Sequence, residues 1–477
     1  MLRVESARNA FAGQATALAR LISAGWASGT YEGVDIAVAA GRLRQPAAAP
    51  RCAKVRNVNR VLGFLLALAL AACRSGGAAA SLTPPANPTA SGSSPIVVLI
   101  SIDGWRYDYF ERFKPPTLSR LAGSGVRAKG LIPQFPSKTF PNHYTLVTGL
   151  RLANHGIVSN NMVAPDIPGR FAMSNREVLA DPRWWGGEPI WNTVEGQGKV
   201  AAAMFWPGSE TLIKGHQPTY WARFDDALPH AARVGRVLEW LRLPEGKRPS
   251  FLTLYFSDVD TAGHITGPGS EEVREAALHV DRSIGELVSG VEAAGLNDRV
   301  NYLVVSDHGM AELSPGRMIV LDDYVDPASV DVIDWAPVLA LSPKDGNVDR
   351  LYEALKGRHP ALDVYRNAEI PKVYGLAHHP RVPPVVGIAR EGWYITSRRE
   401  MAGWNEPGGR TPGGAHGYDA RTKSMQGLFI ASGPRLRSGQ VVEPFENIHV
   451  YELMCALLSL TPAKNDGDPG VTRSMLR

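Results

Sequence analysis

Several short apolar runs in the sequence hand over directly to acidic residues. "IVVLISI" leads to Asp103, "FLTLYF" to Asp258 and Asp260, and "NYLVVS" to Asp307. A lone Asp after a strand is ordinarily a turn former or a helix cap. Here imidazoles accompany the carboxylates: His264 in "DTAGH", His308 in "SDHG" and His416 in "GGAHGYDA". Asp103, Asp260 and Asp307 with these three histidines make a nitrogen/oxygen donor set that suits zinc, whereas magnesium or calcium prefers oxygen-dominated shells. Six donors are too many for one four-coordinate ion and about right for two.

A nucleophile candidate stands apart from these clusters. Thr139 lies in "FPSKTFPNHYTLVTG", and a helix is expected to begin just after it, around Pro141, because Pro suits a first helical turn. That puts the hydroxyl at the positive end of a helix, where a phosphate is also attracted. A threonine there ordinarily serves only as an N-cap. A bound metal changes the case, because it lowers the pKa of a coordinated hydroxyl and makes it a nucleophile at neutral pH.

The elements that must hold these groups alternate. Strands are expected at Ile96–Ile102, Phe251–Phe256, Asn301–Ser306 and Gly427–Ala431. Ser270–Ala294 carries apolar residues at Val273, Ala277, Val280, Ile284, Leu287 and Val291, spaced by three and four, which reads as a helix. Ala231–Leu241 and Ile448–Leu460 are further helices. The pattern favours a mostly parallel sheet covered on both faces, with ligands beyond the carboxyl ends of its strands. Residues 310–415 are richer in Pro and Gly, and are expected to form an irregular inserted subdomain or lid.

Composition narrows the function classes. Of 477 residues, 44% are hydrophobic and 20% charged, which excludes a mostly disordered or multi-span membrane chain. The net charge of +5 suggests a nucleic-acid binder, but residues 1–72 hold nine Lys/Arg against three acids. The remainder, with 42 basic against 43 acidic residues, is near neutral, so specific nucleic-acid binding is not expected. The three cysteines, Cys52, Cys73 and Cys455, have no metal-site or redox spacing, and Cys455 reads as a buried helix residue. The apolar run Val61–Ala72 is too short to span a membrane and follows Lys54, Arg56 and Arg60, the layout of a signal peptide. The junction "LAAC" resembles a bacterial lipobox. Residues 1–54 are thus read as an extension ahead of a true start near Val55 or Val58, residues 55–73 as a lipoprotein-like signal peptide, and residues 74–95 as a flexible linker. Residues 96–477 are read as the catalytic domain. The expectation is a chain in the bacterial periplasm, its membrane contact a lipid anchor at Cys73.

Taken together, the motifs "LISIDGWRYDY", "FPSKTFPNHYTLVTGLRLANHGIVSNNM", "GEPIW", "FWPGSE", "YFSDVDTAGHITGPGS", "VVSDHGM", "AHGYD" and "FENIHVYELMCALLSLTPAKNDG" run in order along residues 96–468. They resemble the nucleotide pyrophosphatase/phosphodiesterase family of the alkaline phosphatase superfamily. The resemblance implies an α/β/α sandwich holding two zinc ions, one on Asp260, His264 and His416, the other on Asp103, Thr139, Asp307 and His308. It implies in-line attack by Thr139 on phosphorus, a phosphothreonine intermediate, and nucleotides as substrates cleaved to nucleoside 5′-monophosphates. It places Asn160 on a phosphoryl oxygen, Phe140 and Phe224 on the nucleobase, and Trp206 beside the same pocket. Ala420 stands where many members carry Asn, which bears on the support of His416. Two other outcomes remain open: the same chemistry on choline phosphodiester lipids or phosphate monoesters, and a non-catalytic surface binding protein. The intact donor set disfavours the last.

Overall fold

The computed structural model describes residues 94–477. The N-terminal extension, the signal-like run, Cys73 and all but the last two linker residues lie outside the described residues. The unbroken apolar run Ile96–Ile102 is wholly buried and lies near the middle of an eight-stranded sheet. The strand order is Gln440–Val442, Val126–Ala128, Phe429–Ser432, Val300–Val305, Ile96–Ile102, Phe251–Phe256, Ala201–Met204, Tyr220–Ala222. The neighbouring pairs are parallel except where Phe429–Ser432 runs antiparallel to both neighbours. That strand is expected in the sheet from its apolar run, but its direction is set by the long connection before it, which a local pattern does not encode.

Both faces of the sheet are covered, which is why the central strands are apolar throughout rather than alternating. Val97 and Leu99 point into one core with Leu146, Val147, Trp191 and Leu453. Val98, Ile100 and Ile102 point into the other with Val237, Val280, Ile284 and Leu287. Each such side chain contributes roughly 1.5–3 kcal/mol on burial. An acidic residue at Leu99 would leave an unpaired charge between sheet and helices. The covering helix Glu271–Ala293 starts where Ser270 accepts a hydrogen bond from the Val273 N–H, and Glu271 and Glu272 complement the positive helix end. The helix Val450–Leu458 buries Cys455, as its apolar setting implies.

The inserted segment is more regular than its Pro/Gly content suggests. It holds a four-stranded antiparallel sheet, ordered Val330–Asp334, Val338–Pro343, Val385–Ala389, Leu362–Arg366, with the helix Val348–Leu355 and a core of its own. Its strands are short and its turns carry the Pro and Gly, so periodicity is hard to see along the chain. Its ends meet at a neck, where Ala311–Glu312 pairs antiparallel with Gly414–Ala415. His308 and His416 lie just outside that neck.

Candidate functional site

The sheet delivers the carboxylates to one place. Asp103 directly follows the strand Ile96–Ile102, and Asp307 follows Val300–Val305 after Ser306. Asp260 and His264 lie four apart on the helix Asp258–Thr266, and so share one face. The turn after Asp103 needs glycine: Gly104 has φ of +68°, and a Cβ there would come within 2.8 Å of the Asp260 Cα. The Gly104 N–H donates to Asp307 Oδ1 at 3.3 Å, joining the first carboxylate's turn to another's side chain.

The residues expected to act together fall into two adjoining groups. His308 Nε2 is 2.9 Å from Asp307 Oδ2, 3.4 Å from Asp103 Oδ1 and 3.3 Å from Thr139 Oγ1. Asp260 Oδ2 is 3.5 Å from His264 Nε2, and its Oδ1 is 3.7 Å from His416 Nε2. The groups touch where His308 stacks on His416, with 3.5 Å between centroids and 11° between planes.

The three histidines are prepared in the same way. His264, His308 and His416 each turn Nδ1 to a backbone carbonyl, of Gly414, Gly309 and Ser137, at 3.0, 2.9 and 2.8 Å. A carbonyl only accepts, so Nδ1 carries a proton in each, and the ring is oriented with Nε2 turned to the carboxylates. The Ser137 carbonyl therefore supports His416. Ala420, where the family pattern often has Asn, is packed in the core instead.

The carboxylates are short of partners. Asp103 Oδ1, Asp260 Oδ1 and Asp307 Oδ2 are buried and accept no hydrogen bond. Burial, followed by the charges of Asp307 and Asp260, pushes the Asp103 carboxyl well above its usual range. Burial opposes ionisation of Asp307 too, but His308 and His143 hold it below the usual range. His308 is raised by Asp307 in spite of its burial, and His416 is lowered by burial and by its neighbours His308 and His264. Acids and lone pairs crowded in this way call for cations. Asp260, His308 and His416 bring one ligand atom each within 4.8 Å of one another, as do Asp103, His143 and Asp307. Two such adjoining Asp/His clusters fit a two-metal centre, with His264 beside the first.

The helix beside them begins earlier than expected. It spans Thr139–Thr148, so Thr139 is its first residue and not its cap, and the preceding Lys138 makes no side-chain cap. The cap is supplied from elsewhere: the Phe140 N–H donates to Asn160 Oδ1 at 2.9 Å. The Thr139 hydroxyl is thereby left to face His308.

Four residues were missed from the sequence. His143, four after Thr139 on the same helix, donates from Nδ1 to the Thr139 carbonyl at 2.9 Å, while Nε2 meets Ser101 Oγ at 2.8 Å. Both its nitrogens are engaged; the i, i+4 spacing from Thr139 was the available signal. Tyr255 donates its hydroxyl to Asp103 Oδ2 at 2.6 Å. Lys138 and Asp334 form a buried ion pair at 2.5 Å. Asp334, at the end of an inserted strand, also accepts from the Ser159 hydroxyl, from Asn161 Nδ2 and from the Trp335 N–H. It thus ties the residue before Thr139 to both residues flanking Asn160.

The aromatic residues divide. Phe140 and Phe224 are half-buried, Phe140 edge-on to Phe171 and Phe224 edge-on to Phe205 and Tyr255. Trp206 packs against His143. It is only 4% exposed, its Nε1–H donates to the His143 carbonyl, and its ring stands nearly perpendicular to that of His143, 5.0 Å between centroids. It braces His143 and offers no open face. Next to the clusters lies a cleft of ≈ 420 Å³, lined from the body by Lys138, Asn160, His264 and His416 and from the insertion by Asp334, Trp335, Tyr394 and Arg410.

Comparison with known proteins agrees with this geometry. The family described as type I phosphodiesterase / nucleotide pyrophosphatase matches residues 97–419. The venom phosphodiesterase CdcPDE of Crotalus durissus collilineatus is 38% identical over 400 residues, 82% of this chain and 47% of that protein. Ectonucleotide pyrophosphatase/phosphodiesterase family member 3 of Mus musculus is 35% identical over 393 residues, 80% of this chain and 44% of that protein. The chain therefore spans about half the length of these curated relatives. Among solved structures, inactive murine ectonucleotide pyrophosphatase/phosphodiesterase 5 in complex with AMP superposes with a TM-score of 0.76 at 34% identity, covering 81% of this chain and 100% of that one.

These relatives overturn one expectation. They are snake and mammalian proteins, not bacterial periplasmic lipoproteins, so the bacterial periplasmic placement does not stand. The physical reason is that a short apolar run after basic residues meets a general requirement of export, and four letters such as "LAAC" are too few to name a compartment.

Proposed function

Because the chain belongs to the type I phosphodiesterase/nucleotide pyrophosphatase family of the alkaline phosphatase superfamily, we propose that it is a two-zinc hydrolase. It cleaves phosphodiester and pyrophosphate bonds of nucleotides and releases nucleoside 5′-monophosphates. One observation carries this reading: three buried carboxylate oxygens without hydrogen-bond partners share a space with three imidazoles whose Nδ1 atoms are held by backbone carbonyls and whose Nε2 atoms turn to those carboxylates. In this reading Asp260, His264 and His416 hold one ion, and Asp103, Asp307 and His308 with Thr139 hold the other. Bound there, the ions supply a lowered pKa for a coordinated hydroxyl and a positive field for phosphoryl oxygens.

The chain's own residues do the rest. Thr139 Oγ1 forms a bond to phosphorus opposite the leaving oxygen, the ester bond breaks, and a phosphothreonine remains. Water then replaces the threonine oxygen, which frees the 5′-monophosphate and restores the hydroxyl. The positive end of the helix Thr139–Thr148 favours the anion throughout. Asn160 Oδ1 is held by the Phe140 N–H, so its amide NH₂ is left to donate to a phosphoryl oxygen. Phe140 and Phe224 present aromatic surface that suits a base of any identity. The cleft of ≈ 420 Å³ has room for the second substituent that a diester carries and a monoester lacks. The murine relative solved with AMP was made inactive by a threonine-to-alanine change, which supports a threonine nucleophile and a nucleoside monophosphate product.

The test is hydrolysis of p-nitrophenyl-TMP, ATP, a UDP-sugar, glycerophosphocholine and p-nitrophenyl phosphate by the purified chain. Nucleotide diesters and pyrophosphates should be cleaved to 5′-monophosphates, with activity lost on chelation and regained with zinc. An inert zinc-loaded sample would remove the enzyme reading, and preference for glycerophosphocholine would move the substrate class to choline diesters.

A further inference from the structure

Away from the candidate site, three helices bring a second set of imidazole and carboxylate groups to one point. His230 opens the helix His230–Leu241, Asp258 opens Asp258–Thr266, and His279 lies within Glu271–Ala293. His230 Nε2 is 2.9 Å from Asp258 Oδ2, and His279 Nδ1 is 3.6 Å from Asp258 Oδ1. The two imidazoles are parallel, with 4.3 Å between centroids and 9° between planes. One ligand atom from each of the three side chains lies within 4.8 Å of the others.

The paired clusters described above supply an internal standard. There the His–Asp separations run from 2.9 to 3.7 Å, beside an imidazole stack of 3.5 Å and 11°. Two ligands bound to one tetrahedral zinc would stand about 3.3–3.6 Å apart. The His279–Asp258 separation of 3.6 Å has that spacing, and the 2.9 Å contacts found at both places are hydrogen bonds that an ion would widen by about half an ångström. The two places share donor chemistry and ring arrangement as well. His230 is buried, and its Nδ1 lies 3.0 Å from Ser283 Oγ, which aims Nε2 at Asp258 as the backbone carbonyls aim the other histidines. Side-chain exposure rises from 8% at His230 to 52% at His279, so the outer side is open for entry of an ion and for a water as a further ligand.

We propose that His230, Asp258 and His279 form a third metal site, separate from the two-metal centre, for a divalent cation of the zinc class. Asp258 and Asp260 are two residues apart on one helix, so their side chains leave it on different sides. A cation on Asp258 fastens the start of that helix to the helices His230–Leu241 and Glu271–Ala293. Asp260, on the other side, faces the candidate active site. The third site is structural and touches no substrate.

The rival is a hydrogen-bonded His–Asp–His network with no ion. Zinc content separates the two, measured by elemental analysis after zinc loading and exhaustive dialysis of the full chain. Wild type is compared with His279→Ala, a change at a half-exposed position, and with Asp258→Asn, which keeps volume and a hydrogen-bonding group. The expected result is one zinc equivalent fewer in each variant, with phosphodiester hydrolysis retained in His279→Ala. Equal zinc content in wild type and both variants overturns the site. Loss of hydrolysis together with zinc in a folded His279→Ala overturns its separateness from the catalytic pair.

Discussion

In the sheet body the central strands are parallel, buried on both faces and written as unbroken runs of apolar residues. In the insertion the four strands pair antiparallel, and Pro and Gly interrupt the sequence between them. The chemistry divides along the same line. The carboxylates, the imidazoles and Thr139 stand on the body or just beyond the neck, whereas Asp334, Trp335, Tyr394 and Arg410 come to the cleft from the insertion. Strand ends of a packed sheet fix reacting groups rigidly. A segment with its own small core can vary the cleft wall without disturbing them. The body is thus suited to set the reaction, and the insertion to set what reaches it.

The strongest way to break this division is Thr139→Ala. It should lower hydrolysis by roughly 10⁴-fold or more, while elemental analysis still finds the wild-type metal content. Near-normal turnover would remove Thr139 as nucleophile and leave the body only its carboxylates and imidazoles as a claim on the reaction.

Asp334→Asn probes the seam. Uncoupling Lys138 from the insertion should lower kcat by roughly 10- to 100-fold and cost about 3–5 kcal/mol of stability, because a buried ammonium loses its partner. The double change Lys138→Met with Asp334→Leu should recover part of the stability, the remainder being lost with the acceptor of Ser159, Asn161 and the Trp335 N–H, but not the kcat, read by denaturant melts and steady-state kinetics. Recovery of both would make the pair purely structural.

A third test uses pH. His155 of the body is buried and donates from Nε2 to Thr145 Oγ1, while Nδ1 accepts from the Ile157 N–H. Burial, then His379 and Arg381 of the insertion, lower its pKa from the usual 6.5 to about 3. The unfolded chain therefore takes up a proton that the native state refuses. Stability is full above pH 6.5 and falls as the pH drops toward 3, by up to about 1.4 kcal/mol per pH unit. His155→Gln should flatten that part of the pH–stability curve, and Arg381→Ala should soften it. An unchanged slope in His155→Gln would exclude this histidine as the cause.

The smallest effect is expected at the rim. Arg410 lines the cleft from the insertion and is exposed. Arg410→Ala should raise KM for pyrophosphate-containing substrates by roughly 3- to 10-fold with kcat little changed. A fall in kcat instead would place the insertion's rim in the reacting geometry and blur the division.

The same contrast explains what was legible in the sequence. Ile96–Ile102 and Phe251–Phe256 were readable to the residue, because burial on both faces demands a continuous apolar run. The acids and histidines were readable because they follow those runs or sit at short spacings. The antiparallel course of Phe429–Ser432 and the partnership of Lys138 with Asp334 were not, since each depends on where distant chain returns. The partner of Trp206 was not legible for a similar reason. An indole can line a pocket or brace a histidine, and only the backbone carbonyl it meets decides which.

The neck at Ala311–Glu312 and Gly414–Ala415 reaches beyond geometry. Joining distant points of a chain costs entropy that grows only slowly with the length between them. Once the neck has closed, stacking His308 on His416 asks for little more ordering. Conversely, whatever binds the two imidazoles acts as a clasp on the neck, so the insertion cannot melt away from the body while the clasp is shut. Cations at this place would make two folding units cooperate as one, and stripping them would let the insertion and the body unfold as separate calorimetric transitions.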